Sequence, residues 1–222
     1  QVTAIELIPR ICVDMVVRHV PNFTDPMPAR YDWHVLIELS SSATPDLAGL
    51  MESILGAGFE QEIVIDAVIP ASEAQQQKLW LLREEISAAQ KPEGGSIKHD
   101  ISVPVSRYAD FIREADIAVR KIVPGFRSVA FGHIGDGNVH YNPLQPMDMD
   151  KEVYLAHWEE VSRVVHDIAV KMRGSISAEH GIGRLKADDL VHYKPAVEID
   201  LMRRIKKALD PDGIMNPGKL LK

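Results

Sequence analysis

Phe131-Gly-His-Ile-Gly-Asp-Gly-Asn-Val-His140 reads as strand, turn and strand, and a hairpin here decides the fold class. Glycine weakens regular structure, so its concentration marks backbone that turns tightly or approaches a ligand closely. Asp136, between two glycines, is expected to form a turn hydrogen bond. Elsewhere strands and helices alternate over short connections. One hairpin among them favours an α+β layer, a largely antiparallel sheet covered by helices, over a parallel doubly wound sheet. No G-x-G-x-x-G turn lies between a strand and a helix, so a Rossmann dinucleotide site is not supported.

Outward from the hairpin, residues 5–20 read as a helix leading into the proline-rich connector 21–28. Residues 34–40 read as a buried strand. Thr44-Pro45-Asp46 reads as a helix start with Thr44 as N-cap, and the helix runs to a stop at 56–58. A second strand is expected over 62–69 and a Ser72-capped helix over 72–89. Along 97–105 the pattern has period two: Ile97, His99, Ile101, Val103 and Val105 face one way, and Lys98, Asp100 and Ser102 the other. Tyr108, Phe111, Ile112, Ala115, Val119 and Ile122 form one helical stripe. The longest helix is expected over about 150–173, with Tyr154, Trp158, Val161, Val165, Ile168 and Met172 as a core stripe.

With 222 residues the chain can bury a sizeable core, and its 45% apolar and 26% charged residues are ordinary for a globular protein. The net charge of −7, with no basic block, argues against nucleic acid as a partner. No apolar run approaches the ~20 residues that span a bilayer, and no signal-peptide pattern opens the chain. The one cysteine, Cys12, sits among Ile11, Val13 and Met15 and reads as a small core hydrophobe. A reducing, cytoplasmic location is expected, with peripheral membrane association of a parent protein still compatible.

The chemistry concentrates in the hairpin and in Ser177-Ala-Glu-His-Gly-Ile-Gly183. His133 and His140 bracket the Gly-Asp-Gly turn, which can fold both imidazoles toward one point. Glu179 can supply an anionic third ligand and leave a divalent metal with an open position, as catalytic sites require. Two nitrogens and an oxygen suit zinc first, ahead of manganese, cobalt or iron. A second cluster reads anions. Arg83 and Ser87 stand one helical turn apart, and Lys98 begins the next strand on its polar face. Together they could clamp a carboxylate. On composition alone, Arg83 paired with a neighbouring glutamate on a solvated face is the more economical reading.

These motifs resemble the C-terminal half of the FAD-dependent D-2-hydroxy acid dehydrogenases. That vanillyl-alcohol-oxidase-like flavoprotein family includes D-lactate dehydrogenase, D-2-hydroxyglutarate dehydrogenase and the glycolate oxidase D subunit. The resemblance rests on Leu79-Trp-x-Leu-Arg83-Glu84 with Ser87, Lys98-x-Asp100, the 132–140 and 177–183 motifs, and Asp210-Pro-x-Gly-x-Met-Asn-Pro-Gly-Lys219, in that order. It implies a ferredoxin-like cap domain spanning 1–222, with 175–222 as a tail returning toward the flavin. It implies metal ligation by His133, His140 and Glu179, and proton abstraction by His180. Substrate contacts would come from Arg83, Ser87, Lys98 and Asn142, and a flavin contact from Asn216.

The implied cofactors are FAD and a divalent metal, with zinc foremost; the implied partners are a small 2-hydroxy acid and an FAD-binding domain. Homodimerisation is compatible with this reading. The match begins in the substrate domain and the chain opens at Gln1, so a fragment or processed product is expected. Alone, it should be colourless and inactive. Two readings compete. The same donors would serve a zinc hydrolase with His180 as general base, although H-E-x-x-H is absent. A non-catalytic α+β interaction module would not need the glycine turns.

Overall fold

A computed structural model describes residues 1–43 and 46–221. It contains an open five-stranded sheet in the order β2-β1-β4-β5-β3. The strands are β1 (Val2–Pro9), β2 (Trp33–Leu39), β3 (His99–Ser102), β4 (Ala130–His133) and β5 (Asn138–Tyr141), and every pairing is antiparallel. The hairpin expected at 131–140 is β4-β5, and the α+β class follows from it.

Its turn is a short 3-10 segment, Ile134–Asp136, closed by Gly137 at φ +79°, a left-handed conformation that favours glycine. A Cβ on Gly137 would also collide with the Val103 carbonyl oxygen, while Val103 N donates to Gly137 O at 3.0 Å. Asp136 Oδ1 accepts from Asn138 N at 3.0 Å, the turn hydrogen bond its position called for.

Helices cover both faces of the sheet. Against one face lie α4 (Tyr108–Ile122) and α6 (Trp158–Lys171), burying Phe111, Ala115, Val119, Val161 and Val165 with Ile101, Val139 and Tyr141 of the strands. Against the other lie α1 (Arg10–His19) and α3 (Glu73–Ala89), where Cys12, Val13, Val16, Leu82 and Ile86 pack with Ile8, Phe131 and Leu144. Neighbours on one strand, such as Ala130 and Phe131, join opposite cores, as the pleat requires. Cys12 is fully buried, as expected, and burial pushes its thiol pKa up, away from reactivity.

Several local expectations are corrected. Residues 5–20 are not one helix: β1 occupies the first part, and helix begins only at Arg10. Lying between β2 and β4, β1 gains two sets of ladder hydrogen bonds that a helix there would forfeit. Residues 62–69 form no strand. Ile63 and Ile65 are 73% and 82% exposed, and β propensity without a neighbouring strand has nothing to pair with. The alternating run 97–105 keeps only β3 as strand, and Asp100 is buried.

The expected 150–173 helix is divided into α5 (Lys151–Leu155) and α6, which leaves Trp158 43% exposed at the break rather than in the core. Helix α2 (Leu47–Glu60) runs through the glycines expected to end it. Its N-cap is Asp46, whose side chain accepts from Gly49 N; Thr44 and Pro45 lie outside the described residues. Ser72 caps α3 as expected, accepting from Gln75 N.

By contact, the chain divides into two compact units, Gln1–Ile176 and Ser177–Lys222. The second carries α7 (Ala187–Tyr193), α8 (Ala196–Leu209) and a turn in which Asp210 accepts from Ile214 N and Met215 N, each at 3.0 Å. Among the described residues, no helix is long and apolar enough to cross a membrane.

In the first unit, Glu93 fastens the end of α1 to the loop before β3. Arg18, His19 and Arg127 reach its carboxylate at 2.6, 2.7 and 2.5 Å. Burial opposes ionisation of Glu93, but the three hydrogen bonds outweigh it and hold the pKa at about 2, against an ordinary 4.5. Because the folded-state pKa is depressed, the associated stability is present above the unfolded pKa and is lost as pH falls through the folded one. Wild type should therefore exceed Glu93→Gln by on the order of 2 kcal/mol at neutral pH, the gap closing between about pH 5 and 2. Denaturant titrations of both proteins across that range check this; a gap independent of pH would refute it.

Candidate functional site

Antiparallel register assembles a polar stripe on the α1/α3 face of the sheet. Glu6 of β1 is the direct partner of His133 on β4, and Phe131 that of His140 on β5. His140 in turn pairs with Asp100 of β3. Directly paired residues point to the same side, so alternation places Glu6, His133, Phe131, His140 and Asp100 together. The His133 and His140 rings lie 5.9 Å apart between centroids at 75°, and Phe131 lies 5.0 Å from His140.

Each histidine has a buried carboxylate beside it. His133 Nδ1 and Glu6 Oε1 are 2.5 Å apart. A carboxylate oxygen of Asp100 lies within 4.8 Å of a ring nitrogen of His140, and Asp100 accepts from Asn138 Nδ2 at 2.9 Å. Carboxylates behind imidazoles fix the tautomer and the ring plane, as they do around metal ions.

Of these donors, a ring nitrogen of His140 and a carboxylate oxygen of Asp100 are close enough to share one divalent cation. With Nδ1 of His133 engaged by Glu6, Nε2 is the nitrogen that would ligate. Asn138 Oδ1 is a further buried oxygen, without a hydrogen-bond partner among the described residues.

Of the expected anion cluster, Arg83 reaches this stripe. Arg83 projects from α3 and stacks over Phe131, its Cζ 4.9 Å from the ring centroid. Its partner is not a neighbour on a solvated helix face but Glu6, with Nε 2.6 Å from Oε2 and the two side chains 12% and 4% exposed. Ser87 lies one turn along α3 and is exposed, as is Lys98. Lys98 lines an open cleft of about 320 Å³ with Lys91, Lys151 and Trp158. Asn142 is buried and engaged by protein: Nδ2 donates to Gln90 Oε1 at 3.2 Å, and Oδ1 accepts from His99 N at 3.3 Å.

Glu179, His180 and Asn216 belong to the second unit. Glu179 and His180 are adjacent and exposed in a turn closed by Ser177 Oγ, which donates to Gly181 O at 2.8 Å. Gly181 and Gly183 take positive φ, and Gly183 O accepts from Leu220 N, tying the turn to the C-terminal tail. Asn216 is exposed, at φ +48°.

Sequence reasoning assigned no role to Glu6 or to Asp100. The available signal was a lone carboxylate in the apolar run Ile5-Glu6-Leu7-Ile8, and another set among Ile97, Ile101 and Val103. Charge isolated in such runs is costly to bury unless it is paired.

The class is thus an α+β domain, an antiparallel sheet between helical layers with two carboxylate-backed histidines and an arginine on one face. The chain belongs to the family of FAD linked oxidases, C-terminal domain, whose model matches residues 1–220.

A D-2-hydroxyglutarate dehydrogenase from Stutzerimonas stutzeri is 45% identical over 161 residues, 72% of this chain and 34% of that protein. A probable mitochondrial D-2-hydroxyglutarate dehydrogenase from Oryza sativa subsp. indica is 35% identical over 221 residues, 99% of this chain and 38% of that protein. The mitochondrial D-2-hydroxyglutarate dehydrogenase from Rattus norvegicus is 34% identical over 99% of this chain and 39% of its own length. The chain thus spans well under half the length of these relatives. Mitochondrial names among them mean that a single cysteine does not specify the compartment. Among solved structures, p-cresol methylhydroxylase with substrate bound has a TM-score of 0.65 at 14% identity, covering 98% of this chain and 46% of that one. This likeness concerns the fold alone.

Proposed function

We propose that this chain is the substrate- and metal-binding part of a flavin-dependent dehydrogenase that oxidises a D-2-hydroxy acid to the 2-oxo acid. D-2-hydroxyglutarate is the first substrate to test. The observation that carries the reading is the polar stripe itself: His133 and His140 on adjacent strands, with Arg83 stacked over the phenylalanine between them. The names of the relatives support the substrate class. Exposed apolar side chains support docking against an FAD-binding domain: Val197, Leu201 and Ile205 form a stripe on α8, each more than half exposed.

In this reading FAD, when bound, would supply the hydride acceptor, and a divalent metal, zinc foremost, would supply a Lewis acid for the substrate hydroxyl. His133, His140 and Glu179 are the metal ligands. Arg83, Ser87 and Lys98 would hold substrate carboxylates, with Asn142 as a further substrate contact. His180 takes the hydroxyl proton as the carbonyl forms, so the substrate's two hydrogens leave as hydride and proton. Asn216 contacts the flavin. Membership of an FAD-linked family weighs against the hydrolase alternative.

The test is anaerobic mixing of the flavoprotein containing this chain with D-2-hydroxyglutarate, followed through flavin absorbance. Bleaching by the D- but not the L-enantiomer is expected; no bleaching with any D-2-hydroxy acid would refute the proposal. Within that assay, Arg83→Ala should raise KM roughly ten- to hundredfold, the loss of a charge-assisted hydrogen bond worth about 1.5–3 kcal/mol. Arg83→Lys should recover only part of this, since it restores charge without the planar fork. Unchanged KM in both variants would remove Arg83 from the substrate site.

A further inference from the structure

Glu6 has no part in the reaction just described, yet its carboxyl is buried in a strand. Taking a carboxylate out of water costs several kcal/mol unless good partners meet both oxygens. Here the two oxygens go to different residues. Oε1 lies 2.5 Å from His133 Nδ1, and Oε2 lies 2.6 Å from Arg83 Nε. One of these residues is a proposed metal ligand and the other a proposed substrate clamp, and they come from different elements, β4 and α3. Direct register between Glu6 and His133 keeps the first contact in place through the backbone.

We propose that Glu6 is a positioning residue that aligns the metal-ligating imidazole of His133 with the anion-binding guanidinium of Arg83, making one unit of two subsites. The inference rests on the reading of His133 and Arg83 given above. By accepting a hydrogen bond from Nδ1–H, Glu6 fixes the tautomer of His133 and sets its ring plane, so that Nε2 is the nitrogen suited to a cation. By accepting from Nε of Arg83, it holds the guanidinium over Phe131, with Cζ 4.9 Å from the ring centroid. Two groups that must meet the same small substrate are thereby held from a single point.

The test uses Glu6→Gln in the full flavoprotein. Glutamine puts a neutral amide where the carboxylate stood, so both contacts lose the charge they rest on, and its NH2 cannot accept from His133 Nδ1–H or Arg83 Nε–H. Two affinities are read: zinc alone, by competition with a chelating dye, and D-2-hydroxyglutarate, by titration of the zinc-free protein. Zinc affinity should fall about 10–100-fold, the usual effect of losing a carboxylate behind a metal-bound histidine. Substrate affinity should fall about tenfold in the same variant, one charge-assisted contact being disturbed. Glu6→Asp keeps the charge at shorter reach and should give intermediate losses of both; it carries the test if the glutamine variant fails to fold. Both affinities within twofold of wild type, or a change confined to one ligand, would overturn the proposal. The underlying reading fails separately: His133→Ala would retain zinc, or Arg83→Ala would retain substrate affinity.

Discussion

Replacing His140 with alanine in the flavoprotein that contains this chain is expected to remove bound divalent metal and turnover together. His140 is half-buried on β5, flanked by Phe131 and Asp100 on the neighbouring strands, and no core cluster depends on it. The variant should therefore fold. What it loses is one of two imidazoles on the stripe, and a site reduced to one histidine and a carboxylate binds zinc poorly. If the metal supplies several kcal/mol of charge stabilisation in the transition state, its loss slows turnover on the order of a thousandfold. Elemental analysis after gel filtration, paired with steady-state kinetics, checks both effects. The double variant His133→Ala/His140→Ala retaining stoichiometric metal would rule the assignment out.

The second large effect is expected at His180. In His180→Asn, kcat should drop by about 10²–10⁴, the contribution of a positioned general base, while KM stays within a few fold. Asparagine preserves polarity and approximate size but cannot take a proton near neutral pH. His180 is exposed, in a turn where Ser177 Oγ donates to Gly181 O and Leu220 N to Gly183 O. A primary isotope effect measured with substrate deuterated at the α-carbon would show whether the chemical step is the one slowed. Small, equal effects of His180→Asn and Arg83→Ala would mean that the active site lies elsewhere on the domain.

Local signals were read correctly where the chemistry is local. The hairpin was legible because Gly137 must take positive φ, and Asp136 caps the turn from within four residues. The α3 cap at Ser72 and the stripe of α4 were legible for the same reason: cap geometry and helical periodicity are properties of short windows. Misreadings fell where a distant strand decided. Residues 2–9 carry a pattern that suits a helix as well as a strand, and only pairing on both sides made them β1. Residues 62–69 have strand composition, and the lack of any neighbour in the sheet left them irregular.

The same division holds in the candidate site. Sequence by itself determined the α+β class, the glycine turns, the two hairpin histidines and the family to which the motifs belong, because each is written within a few residues or in the order of short motifs. Only the tertiary structure decided that Glu6 faces His133 across 127 residues of chain and Arg83 across 77. It also decided that Asp100 is buried beside His140. Register across four strands sets those contacts, and register is a property of the assembled sheet: shifting one strand by a residue would turn Glu6 to the opposite face and leave its charge without either partner.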